Sequence, residues 1–282
     1  MRAEVMTLGT PNPRQREFLA CEKKYVAFGG ARGGGKSWAV RCKAKLLALR
    51  YAGIRILLVR RSLAELEANH LAFLRQELAD VAEYRAGERQ FRFCNGSVLQ
   101  FGYCGCDRDL DRYQGAEYDV IFLDEATQMK EQWMRQIAAC VRGVNDFPKR
   151  IYYTCNPGGP GHGYIKRLFI DRRFEDGEQP EDYAFIPARV TDNAALLARQ
   201  PDYLKTLEAL PYKLRRAWLE GRWDVFAGQV FQEFTDDPDH YDDRRWTHVI
   251  RPFDVPREWN IYRSYDFGYA RPFSCGWWAV DH

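Results

Sequence analysis

Three observations in the sequence predict an α/β fold with a doubly wound, mainly parallel sheet flanked by helices. Short apolar runs at 25–28, 56–59, 120–123 and 151–154 recur with helical periodicity or glycine-marked turns between them. That alternation is how parallel sheets are built. The first run leads directly into a glycine-rich turn and then a helix, a geometry in which backbone amides and the helix dipole converge on an anion. The third and fourth runs end in polar residues, where open sheets of this kind place their ligands.

Each element can be justified in order. Asn12-Pro13-Arg14-Gln15 precedes the first strand. The Gln15 amide is a candidate adenine reader, since it can pair with both an amino group and a ring nitrogen, which favours ATP over GTP. After Tyr25 to Phe28 comes Gly30-Ala31-Arg32-Gly33-Gly34-Gly35-Lys36-Ser37. This is the Gly-x-x-x-x-Gly-Lys-Ser/Thr phosphate cradle, in which Lys36 reaches the β- and γ-phosphates and the Ser37 hydroxyl holds Mg²⁺. A helix over 36–50 follows, with Ala39, Cys42, Leu46 and Leu49 spaced to line its buried face, and Gly53 stops it. Ile56 to Val59 reads as a strand buried on both faces. The spacing of Leu63, Leu66, His70, Leu74, Leu78 and Val81 predicts one helix over 63–81. Phe91 to Cys94, Asn95-Gly96 and Ser97 to Tyr103 predict a hairpin, because Asn-Gly suits a two-residue turn.

The strand Val120 to Leu123 closes on Asp124-Glu125. Four apolar residues followed by two acids form a Walker B arrangement: Asp124 would help hold Mg²⁺ and Glu125 would polarise the attacking water. The plain alternative is a pair of acids capping a helix that starts near Thr127. Ile151 to Thr154 closes on Cys155-Asn156-Pro157, so Thr154 or Asn156 could contact the γ-phosphate or lytic water, and Pro157-Gly158-Gly159 would let the next segment move. Phosphoryl transfer also gains from an arginine that neutralises charge. Arg32 could serve in cis and Arg112 from a neighbouring subunit; Arg60-Arg61 is a third candidate, with a strand-end ion pair as its alternative. From about 160 short helices are expected around 201–209 and 212–220. Asp236, Asp237, Asp239, Asp242 and Asp243 then mark a solvated inter-domain segment, and alternating aromatic strands resume between Tyr262 and Asp281.

Composition narrows the function classes. The chain has 282 residues, 46% hydrophobic, enough for one large core or a domain and a half. A net charge of +3 is too balanced to mark a nucleic-acid binder by itself. No apolar stretch approaches bilayer-spanning length, and the N-terminus lacks a signal-peptide core, so a soluble intracellular protein without membrane association is expected. Of the eight cysteines, Cys42, Cys140, Cys155 and Cys275 lie in apolar segments and read as buried thiols. Cys104 and Cys106, with Cys94 nearby, lack a second pair at zinc spacing. The basic clusters Lys166-Arg167, Arg172-Arg173 and Lys213-Arg215-Arg216 read equally as solvated helix faces.

Taken in order, several stretches resemble the large terminase subunit of tailed bacteriophages, the ATP-driven motor of viral genome packaging. They are Pro13 to Gln15, Gly29 to Ser37, Leu58 to Arg61, Arg112 to Gly115, Val120 to Ala126, Tyr153 to Pro157 and Leu219 to Trp223. Tyr265-Asp266-Phe267-Gly268 is similar to the opening strand of that family's RNase H-like nuclease. The resemblance implies a P-loop NTPase of the ASCE/RecA-like kind over 1–159, a helical lid or linker over 160–228, and a linker with the start of the nuclease over 229–282. It implies ATP and Mg²⁺ as cofactors, with Gln15 on adenine, Gly30 to Ser37 on the phosphates, Asp124 on the metal, Glu125 catalytic and Asn156 coupling. It also implies a ring, of five subunits, that drives double-stranded DNA through the portal protein into a procapsid, with the small terminase subunit as a further partner. The place of action would be the host cytoplasm, transiently the procapsid portal. Asp266 would be the first nuclease ligand for Mg²⁺ or Mn²⁺. With Asp281 as the only later acid, no DNA cleavage is expected of these residues alone. The competing readings are another P-loop DNA motor, helicase- or repair-like, and a nucleotide-binding scaffold without turnover, against which intact Lys36, Asp124 and Glu125 argue.

Overall fold

The computed structural model describes residues 9–225, 237–243, 247–266 and 274–280. The chain divides into two units, 1–227 and 228–282. In the first, α1 (Pro13–Ala20) starts at a capping box in which Asn12 and Gln15 bond each other's backbone amides. It is followed by β1 (Tyr25–Gly30), α2 (Lys36–Arg50) and β2 (Arg55–Arg60). The helix expected over 63–81 is broken: α3 (Leu63–Leu66) passes through a π-turn at Glu67–Leu71 into α4 (Ala72–Glu77) and stops at Leu78. Then come β3 (Ala82–Arg85), β4 (Gln90–Phe93) and β5 (Val98–Tyr103). A 3-10 segment at Asp107–Tyr113 leads to β6 (Val120–Leu123), α5 (Glu131–Ala138) and β7 (Arg150–Cys155). The last part holds α6 (His162–Ile165), β8 (Tyr183–Ala188), α7 (Ala194–Arg199), α8 (Asp202–Glu208) and α9 (Tyr212–Trp218).

The eight strands form one sheet in the order β3-β4-β5-β2-β6-β7-β1-β8. Every pairing from β5 to β8 is parallel, and β3-β4-β5 is the antiparallel edge whose β4–β5 turn is the expected Asn95-Gly96. The carboxyl ends of β1, β2, β6 and β7 therefore point the same way. The stretch expected to be helical after residue 160 also supplies β8, which pairs with β1 from Tyr25↔Tyr183 to Gly30↔Ala188. Alternate residues of each strand feed two cores. Val26, Phe28, Ile56, Leu58, Phe122 and Tyr152 pack under α1 and α2. Ala27, Leu57, Val59, Ile121, Leu123 and Tyr153 pack with α5 and the 165–169 segment on the other face. Burial on both faces explains why the strands read as continuous apolar runs.

The buried face of α2 differs from the expected one. Ala39, Val40, Cys42, Ala44, Leu47 and Ala48 are enclosed, whereas Leu46 and Leu49 are 39% and 41% exposed. The reason is that Arg41, Lys43 and Lys45 are buried too, each with a partner. Lys43 Nζ donates to the carbonyls of Leu19 (2.5 Å) and Cys21 (3.2 Å), and Lys45 pairs with Glu77 at 2.6 Å. Cys42, Cys140 and Cys155 are buried as expected; Cys275 is exposed. Among the described residues no helix is long and apolar enough to cross a membrane.

In the second unit, β9 (Asn260–Asp266) and β10 (Ser274–Val280) form an antiparallel hairpin with Tyr265 opposite Cys275. Asp266 closes β9; its side chain, like Asp281, lies outside the described residues.

Candidate functional site

A cleft of about 850 Å³ opens at the carboxyl ends of β1, β2, β6 and β7. Its floor is the glycine loop. Gly33, Gly34, Gly35, Lys36 and Ser37 line it, with Arg32 on one side and Glu125 and Asn156 opposite. The loop can run this close to β7 because residue 29 is glycine: a Cβ there would stand 2.1 Å from the Cys155 carbonyl oxygen. Gly35, at φ 75°, turns the chain into α2, whose first amides have no intrahelical acceptor.

The start of the expected phosphate cradle faces elsewhere. The Ala31 amide donates to the Ala188 carbonyl (2.9 Å) and the Arg32 amide to that of Trp218 (2.8 Å). Gly30 and Ala31 are not among the residues lining the cleft, and Gly221 packs against Gly30 so closely that a Cβ on it would lie 3.0 Å from the Gly30 carbonyl carbon. Asn193 Nδ2 holds the Gly33 carbonyl at 2.7 Å. Residues 188–221 thus brace the loop from behind. Sequence reasoning missed this brace; the Leu219 to Trp223 stretch was the available signal.

Lys36 is enclosed, and burial pulls its ammonium below the usual lysine range, with Glu125 acting in the opposite direction. Its Nζ donates to the Ala31 carbonyl (2.6 Å) and to Asn156 Oδ1 (2.8 Å). An ammonium has three donors, so one remains for an anion in the cleft. Asn156 Nδ2 in turn donates to both Glu125 carboxylate oxygens, at 3.0 and 3.2 Å. One amide therefore orients the lysine and the acid together. Glu125 itself sits at φ 53°, a left-handed conformation disfavoured for a non-glycine residue, and its amide is fixed by Thr154 Oγ1 at 2.8 Å.

Asp124 lies behind it, 1% exposed. Thr154 Oγ1 donates to Oδ1 (2.6 Å), while His70 Nε2 (2.8 Å) and Arg60 Nη1 (3.1 Å) approach Oδ2. Burial opposes ionisation, yet His70, Arg60 and Thr154 together hold the carboxyl well below the usual range. Thr154 is therefore a buried brace between the two acids, and Asn156 is the one of the pair that lines the cleft. His70 was anticipated only as a helix-face residue; its meeting with Asp124 depends on the π-turn, for which the sequence has no local signal.

The remaining candidates divide. Arg60 is the strand-end ion pair, with Asp124 at 3.1 Å and Glu65 at 3.3 Å, and it lines the cleft together with Arg61. Arg32 lies over the Trp218 ring at 3.4 Å. Arg112 is outside the cleft walls, 3.1 Å from Asp109 and 4.0 Å over the Tyr103 ring. Gln15 adjoins the loop, but its amide bonds the Asn12 amide and the Gly35 carbonyl (3.1 Å), so it is not presented to a base in this conformation. Lys166, Arg167 and Arg216 of the basic clusters are ion-paired with Asp171, Glu178 and Asp224.

The oxygen donors for a cation are the Ser37 hydroxyl and the Glu125 carboxylate, which line the cleft, with the buried Asp124 carboxylate behind them. An oxygen-only set with few carboxylates fits Mg²⁺, which keeps waters and substrate phosphates in its shell. It does not fit an all-protein cage, and among the described residues no cluster of three His, Cys, Asp or Glu is placed to form one.

A family model for the terminase large subunit, T4likevirus-type, N-terminal, matches residues 27–235. No curated protein matches the chain. Among solved structures, the large terminase from a thermophilic bacteriophage, in complex with ADP, has a TM-score of 0.62 at 18% identity, covering 96% of this chain and 65% of that one. The complex of the same terminase with ATP-gamma-S gives 0.61 at 19%, over 96% and 64%. The ATPase domain of the Thermus phage P74-26 large terminase gives 0.55 at 14%, over 76% and 94%. The chain thus spans just under two thirds of the length of the nucleotide-bound terminase. At these identities the structures establish a shared fold, that of the terminase ATPase domains.

Proposed function

This chain belongs to the T4likevirus-type terminase large-subunit family, and on that premise we propose that it hydrolyses ATP to drive double-stranded DNA through a portal into a procapsid. The observation that carries the ATPase reading is the Lys36–Asn156–Glu125 chain at 2.8 and 3.0 Å, which ties a phosphate-binding cation to a carboxylate across one cleft. Lys36 and the amides from Gly33 onward would hold the β- and γ-phosphates. Ser37 and Asp124 would hold Mg²⁺, which when bound would supply charge neutralisation on those phosphates. Glu125 would orient the attacking water and accept its proton. Loss of the γ-phosphate would change what Asn156 bonds, which supports its reading as the coupling residue. Arg32 would neutralise charge in cis after leaving Trp218. The fold relatives solved with ADP and ATP-gamma-S support nucleotide binding in this fold.

The same reading divides the chain into the ATPase core, a lid and linker over 160–228 that also lends β8 to the core sheet, and an inter-domain linker leading into the nuclease over 229–282, with Asp266 as the first nuclease ligand. Its partners would be DNA, the portal protein, the small terminase subunit and further copies in a ring in the host cell.

Two variants test the ATPase. Lys36→Ala should lose nucleotide binding. Glu125→Ala should bind ATP but hydrolyse it about 100- to 10,000-fold more slowly, the range for loss of a general base. Equal affinity and turnover in wild type and Lys36→Ala would end the assignment. Stimulation of hydrolysis by portal-bearing empty capsids separates a packaging motor from another DNA motor.

A further inference from the structure

One fully enclosed polar group at the site belongs to none of the nucleotide motifs: the imidazole of His70. It sits on the π-turn Glu67–Leu71, a helix irregularity that recurs at functional positions. Nε2 is 2.8 Å from Asp124 Oδ2, whereas Nδ1 is buried with no hydrogen-bond partner. An apolar side chain would fill this space without an orphaned ring nitrogen, so packing does not account for a histidine here. Asp124 also accepts from the Thr154 hydroxyl on Oδ1 (2.6 Å), and the Arg60 guanidinium stands 3.1 Å from Oδ2 as an ion pair without a hydrogen bond from Nη1. A carboxylate offers about four acceptor positions. Hydrogen bonds from His70 and Thr154 take one position on each oxygen, and the Arg60 charge stands against Oδ2, so Oδ1 is the less crowded oxygen.

We propose that His70 is a positioning residue for Asp124: it pins Oδ2 and so leaves Oδ1 as the oxygen available to a hydrated divalent cation. Groups behind a metal-binding carboxylate fix its orientation in this way. The π-turn also ties that orientation to the glycine loop. Asn69, the residue before His70, lines the cleft, and its carbonyl accepts from Arg41 Nη1 at 2.8 Å. Arg41 belongs to α2, the helix that begins at Lys36. The imidazole is therefore anchored to the same helix that receives the phosphates. This proposal rests on the ATPase reading and deepens it.

The test is equilibrium binding of a fluorescent ADP analogue to the whole chain, in EDTA and in Mg²⁺. His70→Gln keeps an N–H near the reach of Nε2; His70→Asn, one methylene shorter, does not. The Asn variant should weaken binding in Mg²⁺ about 10- to 100-fold, as loss of such supporting groups does. Its affinity in EDTA should stay within about twofold of wild type, and Gln should restore most of the Mg²⁺-dependent gain. If the Asn variant does not fold, His70→Leu takes its place with the same expectations. Equal gains from Mg²⁺ in all proteins overturn the proposal. A parallel loss of binding in EDTA also overturns it, because that marks a structural role. Absence of any binding to wild type in either buffer would instead remove the nucleotide reading, and this proposal with it.

Discussion

Asn156 shows how much a single side chain can organise. Its carbonyl oxygen takes one of the Lys36 donors and its amino group holds both oxygens of Glu125. An aspartate would reverse one of these contacts, and an alanine would lose both. On the proposed reading nucleotide binding would depend chiefly on Lys36 and the loop amides, which Asn156→Ala leaves in place. Water activation would depend on where Glu125 points. We therefore expect Asn156→Ala to change ATP affinity by less than about tenfold while turnover falls about 100-fold, the pattern of an interaction made mainly in the transition state. Steady-state kinetics decide it: an unchanged kcat with a raised KM would make Asn156 a binding residue only. The left-handed backbone at Glu125 belongs to the same logic, since the strained residue is the one whose carboxylate must face the cleft.

At the level of elements, α1 and α2 are joined by a lysine whose carbons are in the core. Lys43 is 5% exposed and its ammonium closes the carboxyl end of α1 through Leu19 and Cys21. Lys43→Met keeps the carbons but leaves those carbonyls unsatisfied, so we expect a loss of about 1 to 3 kcal/mol. Burial, then Arg150, pushes Lys43 down from its usual 10.5 to about 8. Between those pH values the unfolded chain carries more protons here than the folded one, so wild-type stability should rise with pH relative to Lys43→Met. Urea unfolding of both proteins at pH 7 and 10 measures the difference; a gap that narrows with pH contradicts the assignment. The same helix shows what was legible in the sequence. The glycine loop, the strand ends at Asp124 and Asn156 and the Asn95-Gly96 hairpin were readable because each rests on local chemistry. The face of α2 was misread because three charged residues occupy core positions, and only distant partners such as Glu77 and Cys21 make that tolerable. β8 was missed because Tyr183 to Ala188 carries Pro187, a residue type confined to edge strands, and mixes buried with half-buried positions without a strict alternation. The π-turn was unreadable for a similar reason: His70 fits a helical stripe equally well, and only its contact with Asp124 distinguishes the two.

For the whole molecule, the decisive placement is that of Arg112. It is anchored by Asp109 and Tyr103, half-exposed, on a segment that does not border the molecule's own cleft. The cleft, meanwhile, is open to solvent and has its own Arg32 held against Trp218. On the proposed packaging reading, Arg112 would act on the cleft of a neighbouring chain in a ring, adding to the arginines that line each cleft. Isolated chains should then hydrolyse ATP slowly, and the rate should rise with assembly. Removing an arginine that acts between subunits costs about 10³- to 10⁵-fold in phosphoryl-transfer enzymes, so Arg112→Ala rings should be nearly inactive. Mixing Arg112→Ala with Glu125→Ala chains creates interfaces where an intact cleft meets an intact arginine. The mixture should therefore exceed the activity of either variant alone, approaching the share of such interfaces expected from random assembly. No recovery in rings shown to be mixed would place the work of Arg112 within its own chain, and would leave Arg32 as the arginine that meets the phosphates.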